Sequence, residues 1–127
     1  LIKNGYEVYS SDLIDRGYGE IGIDFLKTTN RFDNIITNPP FNLSTEFIVK
    51  ALELANKQVA MLNKLTFLEG LKRREQLFNL KRLKKVWIFS RRIKFDRGKK
   101  ETSSGMMAFA WFIFDKNYNG LPQIDWI

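Results

Sequence analysis

The 127-residue sequence contains no cysteine and no histidine. The missing cysteines exclude disulfide bonds and thiolate metal sites, and the missing histidines exclude an imidazole general base and imidazole zinc ligands. No apolar run reaches the roughly 18 residues that span a membrane, and no signal peptide is recognisable. We therefore expect a cytoplasmic protein with no membrane partner, in which any catalysis uses carboxylates, amides, backbone groups or a cofactor.

Positive charge is concentrated in one part of the chain. The net charge is +7, but residues 81–100 hold ten lysines and arginines against one aspartate, with aromatic residues between them. The remainder of the chain is slightly acidic. This asymmetry is typical of a protein that binds a polyanion, and a solvated basic surface is the alternative. We predict nucleic-acid contacts at six residues of this segment: Arg91, Arg92, Lys94, Arg97, Lys99 and Lys100.

The spacing of apolar residues predicts one α/β domain over residues 1–127, with a mostly parallel sheet. The last two predicted strands are joined by a loop alone, so we expect them to form an antiparallel hairpin at one edge. Asn42 or Ser44 is expected to cap the first complete helix. The predicted helices cover 45–57 and 67–80, and the later strands cover 33–38, 58–65, 84–89 and 105–114.

Several polar side chains follow the predicted strands directly. Asp12, Asp24 and Asn38 each lie at or just after the carboxyl end of a strand. In open α/β sheets, ligands bind outside these ends, so we expect the three side chains to share one cleft. Lys64, at the end of the strand 58–65, is a further candidate for contact with a substrate there.

Two of the three prolines are consecutive, in Asn38-Pro39-Pro40-Phe41, and they follow a strand that we expect to be buried. Prolines donate no backbone hydrogen bond, and Pro39 holds Asn38 in an extended conformation. The Asn38 side-chain carbonyl and the Pro39 carbonyl can therefore accept both hydrogens of a primary amine, and a planar base can stack on Phe41. The alternative is a proline turn whose asparagine caps the next helix.

This motif resembles the catalytic motif of class I S-adenosylmethionine-dependent amino-methyltransferases, especially the N6-adenine DNA methyltransferases. The resemblance covers nearly the whole chain and implies a Rossmann-like three-layer sandwich with a seven-stranded sheet. It implies a bacterial or phage-encoded enzyme, as in restriction-modification, that needs no metal. By the same resemblance we expect the catalytic residues to be Asn38, Pro39, Pro40 and Phe41, and we expect S-adenosylmethionine to be held by Asp12, Asp24, Phe25 and Asn38.

The family's first strand and glycine-rich cofactor loop have no counterpart before Asn4, so we expect an N-terminally truncated domain. Similar motifs occur in methyltransferases that act on RNA adenine or guanine amines and on a protein glutamine amide. The basic segment disfavours glutamine but does not distinguish RNA from DNA. A non-catalytic nucleic-acid-binding remnant of the fold is the alternative from another class.

Overall fold

The computed structural model describes residues 5, 7–8, 24–93 and 107–127, and within them the chain forms five β-strands and two α-helices. All seven elements belong to Arg31–Ile127, one of the two compact units into which the chain divides; the other is Leu1–Asn30. No helix of the described residues is long and apolar enough to cross a membrane. The elements are β1 (Phe32–Thr37), α1 (Ser44–Leu54), β2 (Ala55–Lys64), α2 (Leu71–Gln76), β3 (Leu83–Ile88), β4 (Phe109–Asp115) and β5 (Gln123–Trp126).

The strands form one sheet in the order β1-β2-β4-β3-β5. β1 and β2 pair in parallel, and so do β3 and β5. β4 is antiparallel to both of its neighbours, β2 and β3. The α/β prediction is confirmed, but the sheet is mixed rather than mostly parallel. The physical reason is the position of β4, which turns back from β3 and inserts between β2 and β3, so that it makes two antiparallel pairings instead of one.

The predicted antiparallel pairing of β3 with β4 is confirmed, but its predicted place at the edge of the sheet is wrong. β4 is suited to the interior because Ala110, Phe112 and Phe114 are fully buried. The edge beyond β3 is occupied by β5, which the sequence analysis did not predict. β5 is four residues long and exposed throughout, so it carries no pattern of buried positions from which a strand is predicted.

The two helices are shorter than predicted. α1 ends at Leu54, where the Lys116 ammonium donates to the backbone carbonyls of Glu53 and Ala55, at 3.4 and 3.1 Å. A cation at this position satisfies carbonyls that the helix leaves unpaired. α2 covers only six residues, because Gly70 precedes it with a φ of 128°, a conformation that no helix contains and that favours glycine.

The core lies between α1 and the sheet and continues under the segment around α2. α1 presents one apolar face because its buried residues recur three to four positions apart, as expected of a helix on a sheet. On β2 the buried positions alternate along the strand. The largest apolar side chains that are almost completely buried are Ile48, Val59, Met61, Leu77, Val86, Phe112 and Phe114.

Because β1, β2 and β3 run in the same direction, their last residues lie at one end of the sheet, where β4 begins. We call this end the carboxyl edge. Lys64, the last residue of β2, is opposite Phe109, the first residue of β4, and Ile88 at the end of β3 is opposite Ala110. The chain that follows each of the three strands is therefore delivered to the same edge.

Candidate active site at the carboxyl edge

The Asn38-Pro39-Pro40-Phe41 segment leaves the sheet directly after β1. The pairing of β1 with β2 ends at Thr37 and Met61, and the two prolines that follow have no N–H with which to continue it. Pro39 is buried, whereas Asn38 and Pro40 are exposed. Phe41 opens a 3-10 turn that leads into α1, so the motif forms a short connection between β1 and α1.

Two buried polar side chains hold this connection in place. The Asn63 side-chain amide donates to Ser44 Oγ at 2.6 Å, and Ser44 Oγ donates to the Pro40 carbonyl at 3.2 Å. Asn63 and Ser44 are only 3% and 2% exposed. They therefore link the end of β2 to the first residue of α1 and to the proline segment. This role of the two residues was not predicted from the sequence: Ser44 or Asn42 was expected to cap α1, and neither side chain does so.

The sequence does contain a signal for Asn63. Along β2, Val59, Met61 and Asn63 alternate with less buried residues, and Asn63 occupies a fully buried position on an otherwise apolar face. A buried amide needs hydrogen-bond partners. Asn63 finds them in Ser44 and in the N–H of Lys64, which donates to Asn63 Oδ1 at 2.7 Å.

The acceptors of the motif differ in whether they are already used. The Pro40 carbonyl accepts from the Leu43 N–H at 3.0 Å and from Ser44 Oγ. In the part of the chain that the structure describes, the Asn38 side chain and the Pro39 carbonyl accept no hydrogen bond. The exposed Asn38 side chain and the carbonyl of the buried Pro39 are thus not used by other described residues, and the binding of a primary amine there stays a prediction.

Phe41 is partly exposed, at 38%, and contacts two side chains from neighbouring strands. Its ring centroid lies 5.9 Å from that of Phe109, with the planes inclined at 44°. The Lys64 ammonium lies over the Phe41 ring, 4.3 Å from the centroid. A cation in this position stabilises by roughly 0.5–1 kcal/mol when the site is partly exposed. Within the described residues, Phe41 therefore has one ring neighbour and one cationic neighbour at the carboxyl edge.

A cleft of about 530 Å³ adjoins Lys64 and continues past the end of β2. Four of its lining side chains are apolar, and the polar ones are Lys64, Thr66 and Glu69. A larger groove of about 820 Å³ lies where the carboxyl end of α1 meets the turn after β4. Its cations Arg31, Arg82 and Lys116 donate to Asn56, Tyr118 and Ala55 of the same chain, so they stabilise local structure there.

In the described part of the basic segment, the cations near the start of β3 and those after its end differ in their ion pairing. Near the start of the strand, Lys84 pairs with Asp115 at 3.6 Å and Lys85 with Asp125 at 3.9 Å. After the strand, Arg91 and Arg92 are exposed and form no ion pair with the described residues. Among the described residues, the carboxylates thus pair with Lys84 and Lys85, whereas Arg91 and Arg92 lie unpaired near the end of the sheet that carries Asn38 and Lys64.

The other predicted site residues fall into two groups. Asp24 and Phe25 are half-buried in the unit Leu1–Asn30, where Asp24 caps a 3-10 turn by accepting from the Leu26 N–H at 3.1 Å. The remaining predicted residues lie outside the described part of the chain: Asp12, Lys94, Arg97, Lys99 and Lys100.

Comparison with known proteins adds no family to this description. No protein-family model matches the chain. No curated protein matches it closely enough to count as a relative.

Proposed function

We propose that this protein transfers a methyl group from S-adenosylmethionine to an exocyclic amino group, namely N6 of adenine in DNA. The observation that carries the proposal is that, among the described residues, nothing donates to the exposed Asn38 side chain or to the Pro39 carbonyl, which lie at the carboxyl edge beside the partly exposed ring of Phe41. It supports the interpretation of the motif as an amine-binding site over the alternative of a capping turn, because the Asn38 side chain caps none of the described helices.

The residues of the chain would act on the amine by orientation. Asn38 and Pro39 accept one hydrogen each, which leaves the nitrogen lone pair directed away from both acceptors and toward the methyl group. Phe41 provides a flat face for the base that carries the amine. S-adenosylmethionine, when bound, supplies the electrophilic methyl group. Alignment of two reacting groups in this way can account for several kcal/mol of the barrier.

The cofactor-binding residues fit this chemistry in part. Asp24 uses Oδ1 for the Leu26 N–H, and within the described residues Oδ2 accepts no hydrogen bond, so the carboxylate can still accept from an amine or hydroxyl of a ligand. Phe25 beside it offers apolar surface. Asp12 is proposed for the ribose hydroxyls on the basis of the resemblance alone. We propose the Rossmann-like methyltransferase fold on the same basis, supported by an α/β sheet that delivers Asn38 to its carboxyl edge.

Two features favour a nucleic acid over a glutamine amide as substrate. An aromatic ring beside the amine acceptors suits a base, which is planar and can stack. The exposed Arg91 and Arg92 follow the same edge of the sheet and suit phosphates. DNA is proposed over RNA from the resemblance of the motif, and the experiment below separates the two.

The test supplies the protein with S-adenosylmethionine labelled on its methyl group, together with unmethylated DNA, RNA and protein in parallel reactions. We expect label in DNA, recovered as N6-methyladenine. Label in RNA or in protein glutamine would support methyl transfer to an amino group but contradict the proposal that DNA is the substrate. A folded protein that binds nucleic acid but neither transfers label nor binds S-adenosylmethionine would contradict the proposal and favour a non-catalytic nucleic-acid-binding protein.

The Asn38→Ala variant tests the role of the motif. We expect it to lower the rate of methyl transfer by at least about 100-fold, because the amine loses one of its two acceptors at the transition state. The thermal midpoint should stay within a few degrees of the native value, because the side chain is exposed and forms no hydrogen bond with the described residues. Asn119→Ala, which also removes an exposed asparagine, is the matched control and should retain native activity. Equal activity of the two variants would contradict the assignment of Asn38.

A further inference from the structure

Lys64 is the one cation of the described residues that lies over the aromatic ring of the proposed site. Its ammonium is 4.3 Å from the centre of the Phe41 ring, and its side chain is half-buried at the mouth of the 530 Å³ cleft. Among the described residues it has no carboxylate within ion-pair distance, although Glu69 lines the same cleft. A positive charge held by a ring alone, beside a cleft, retains its capacity to bind an anion.

The position of Lys64 follows from the register of the sheet. Thr37, the last residue of β1, is opposite Met61, so Lys64, three residues further along β2, lies beyond the end of β1, at the end of the sheet where the proline segment leaves it. The contact of the Lys64 ammonium with the Phe41 ring shows that the lysine side chain reaches this segment. The long side chain reaches the Phe41 ring from there, and by rotation about its own bonds it can also reach a group outside the ring.

From this geometry we infer that Lys64 binds the phosphodiester next to the methylated nucleotide, and that its ammonium rests on Phe41 until a base takes its place on the ring. The inference rests on the proposed function, because it requires a base to stack on Phe41. Stacking displaces the ammonium from the ring face. A nucleotide that enters in this way brings its own phosphate, which is the anion nearest to the displaced charge. A glutamine side chain would bring no such anion.

The Lys64→Met variant tests the phosphate contact, since methionine keeps the length of the side chain without its charge. We would measure binding to a fluorescein-labelled DNA duplex by anisotropy between 50 and 200 mM salt, with an RNA of the same sequence as a second probe. One lost phosphate contact should reduce the slope of log K against log salt by about 0.9. By the same relation, affinity should fall about 15-fold at 50 mM and about 4-fold at 200 mM salt.

Lys57→Met is the matched control, because Lys57 lies on the same strand at the opposite end, where it approaches Asp33 at 3.9 Å. We expect it to leave the salt slope unchanged. Equal slopes for Lys64→Met and the native protein would overturn the inference. If the native protein methylates DNA in that case, the proposed function stands without the inferred role of Lys64. Binding to RNA alone would assign the phosphate contact to RNA and overturn the choice of DNA. Failure of the native protein to bind either nucleic acid would overturn both.

A nuclear magnetic resonance measurement tests the displacement separately. An aromatic ring shifts the signals of protons above its face upfield, so the ε-methylene signal of Lys64 should be upfield in the free protein and normal in Phe41→Leu. Addition of the duplex should return it to the normal position in the native protein. A signal that stays upfield in the complex would show that no base has replaced the ammonium, and would overturn the inference even if the salt slope had changed.

Discussion

At the scale of single residues, Asp115 shows how one carboxylate joins three parts of the fold. The Asn117 N–H donates to Oδ1 at 2.9 Å, the Gln58 side chain donates to Oδ2 at 3.1 Å, and Lys84 lies 3.6 Å from Oδ2. The pKa of Asp115 is lowered below its ordinary value of 3.8, first by the Asn117 hydrogen bond and then by that from Gln58, with Lys84 adding to both. Each of these contacts favours the ionised form.

The lowered pKa of Asp115 predicts how stability depends on pH. A carboxyl whose pKa is lower in the folded state stabilises the fold above its unfolded pKa, near 3.8, and this contribution disappears as the pH falls through the folded pKa. Asp115→Asn should therefore reduce the free energy of unfolding by about 1 kcal/mol at pH 7, and the difference from the native protein should shrink below pH 4. Urea unfolding at pH 7, 5 and 3.5 measures this.

The matched control for that experiment is Asp33→Asn, which removes an exposed carboxylate from the contacts with Lys57 and Asn56. It should change the free energy of unfolding by less than about 0.5 kcal/mol at pH 7, as surface substitutions usually do. A deficit of Asp115→Asn that stayed constant from pH 7 to pH 3.5 would show that the carboxylate does not contribute through its charge.

At the scale of elements, the sequence predicted most strands and the link between β1 and α1, because these depend on local patterns. Alternation or continuous burial marks β2 and β4, and the two prolines mark the end of β1. The order of the strands depended on contacts far apart in sequence, so the place of β4 between β2 and β3 could not be derived from periodicity. β5 was missed because no residue of it is buried.

The same distinction holds for the site. Asn38 and Phe41 could be proposed as site residues because the motif is continuous in sequence, and their role stays a prediction. The hydrogen bond from Asn63 to Ser44 spans 19 residues and depends on how β2 packs beside the first turn of α1. Asn63 could have been suspected as a polar residue at a buried strand position, but its partner could be identified only from the fold.

Removal of the Ser44 hydroxyl tests this link between β2, α1 and the proline segment. Ser44→Ala leaves the Asn63 amide buried without its oxygen acceptor, so the free energy of unfolding should fall by about 1–3 kcal/mol. Thr45→Ala, one residue further along α1, is the control for loss of a hydroxyl. It should lower the free energy of unfolding by less than Ser44→Ala does. Chemical unfolding of the two variants gives the comparison, and a Ser44→Ala variant as stable as the native protein would show that the bond contributes nothing net.

A double substitution separates stability from function at the same place. Replacing both partners with apolar groups, Ser44→Ala with Asn63→Leu, should restore part of the lost stability, because the buried Asn63 amide that lacks an acceptor is then absent. The recovery should be incomplete, because the Lys64 N–H loses Asn63 Oδ1 as its acceptor. Methyl transfer should remain low, since the Pro40 carbonyl has lost its contact with Ser44 Oγ and the segment that carries Asn38 is less firmly held. Recovery of both stability and activity would mean that the link serves the fold alone.

At the scale of the whole molecule, the distribution of charge matters more than its sum. The net charge of +7 includes lysines near the start of β3 that pair with Asp115 and Asp125, and these pairs favour the fold rather than a partner. Arg91 and Arg92 remain exposed after the end of β3. If the protein binds nucleic acid at the carboxyl edge, removal of positive charge there should weaken nucleic-acid binding. Removal of the same charge from the opposite end of the sheet should leave the binding unchanged.

Two double variants with the same net charge test this expectation. Arg91→Gln with Arg92→Gln removes two cations after β3, and Lys57→Gln with Lys81→Gln removes two near the starts of β2 and β3; each lowers the net charge from +7 to +5. Loss of two phosphate contacts should reduce the salt slope of DNA binding by about 1.8 for the arginine pair only. Equal reductions in the two variants would mean that DNA responds to overall charge, and that the carboxyl edge holds no specific phosphate sites at these arginines.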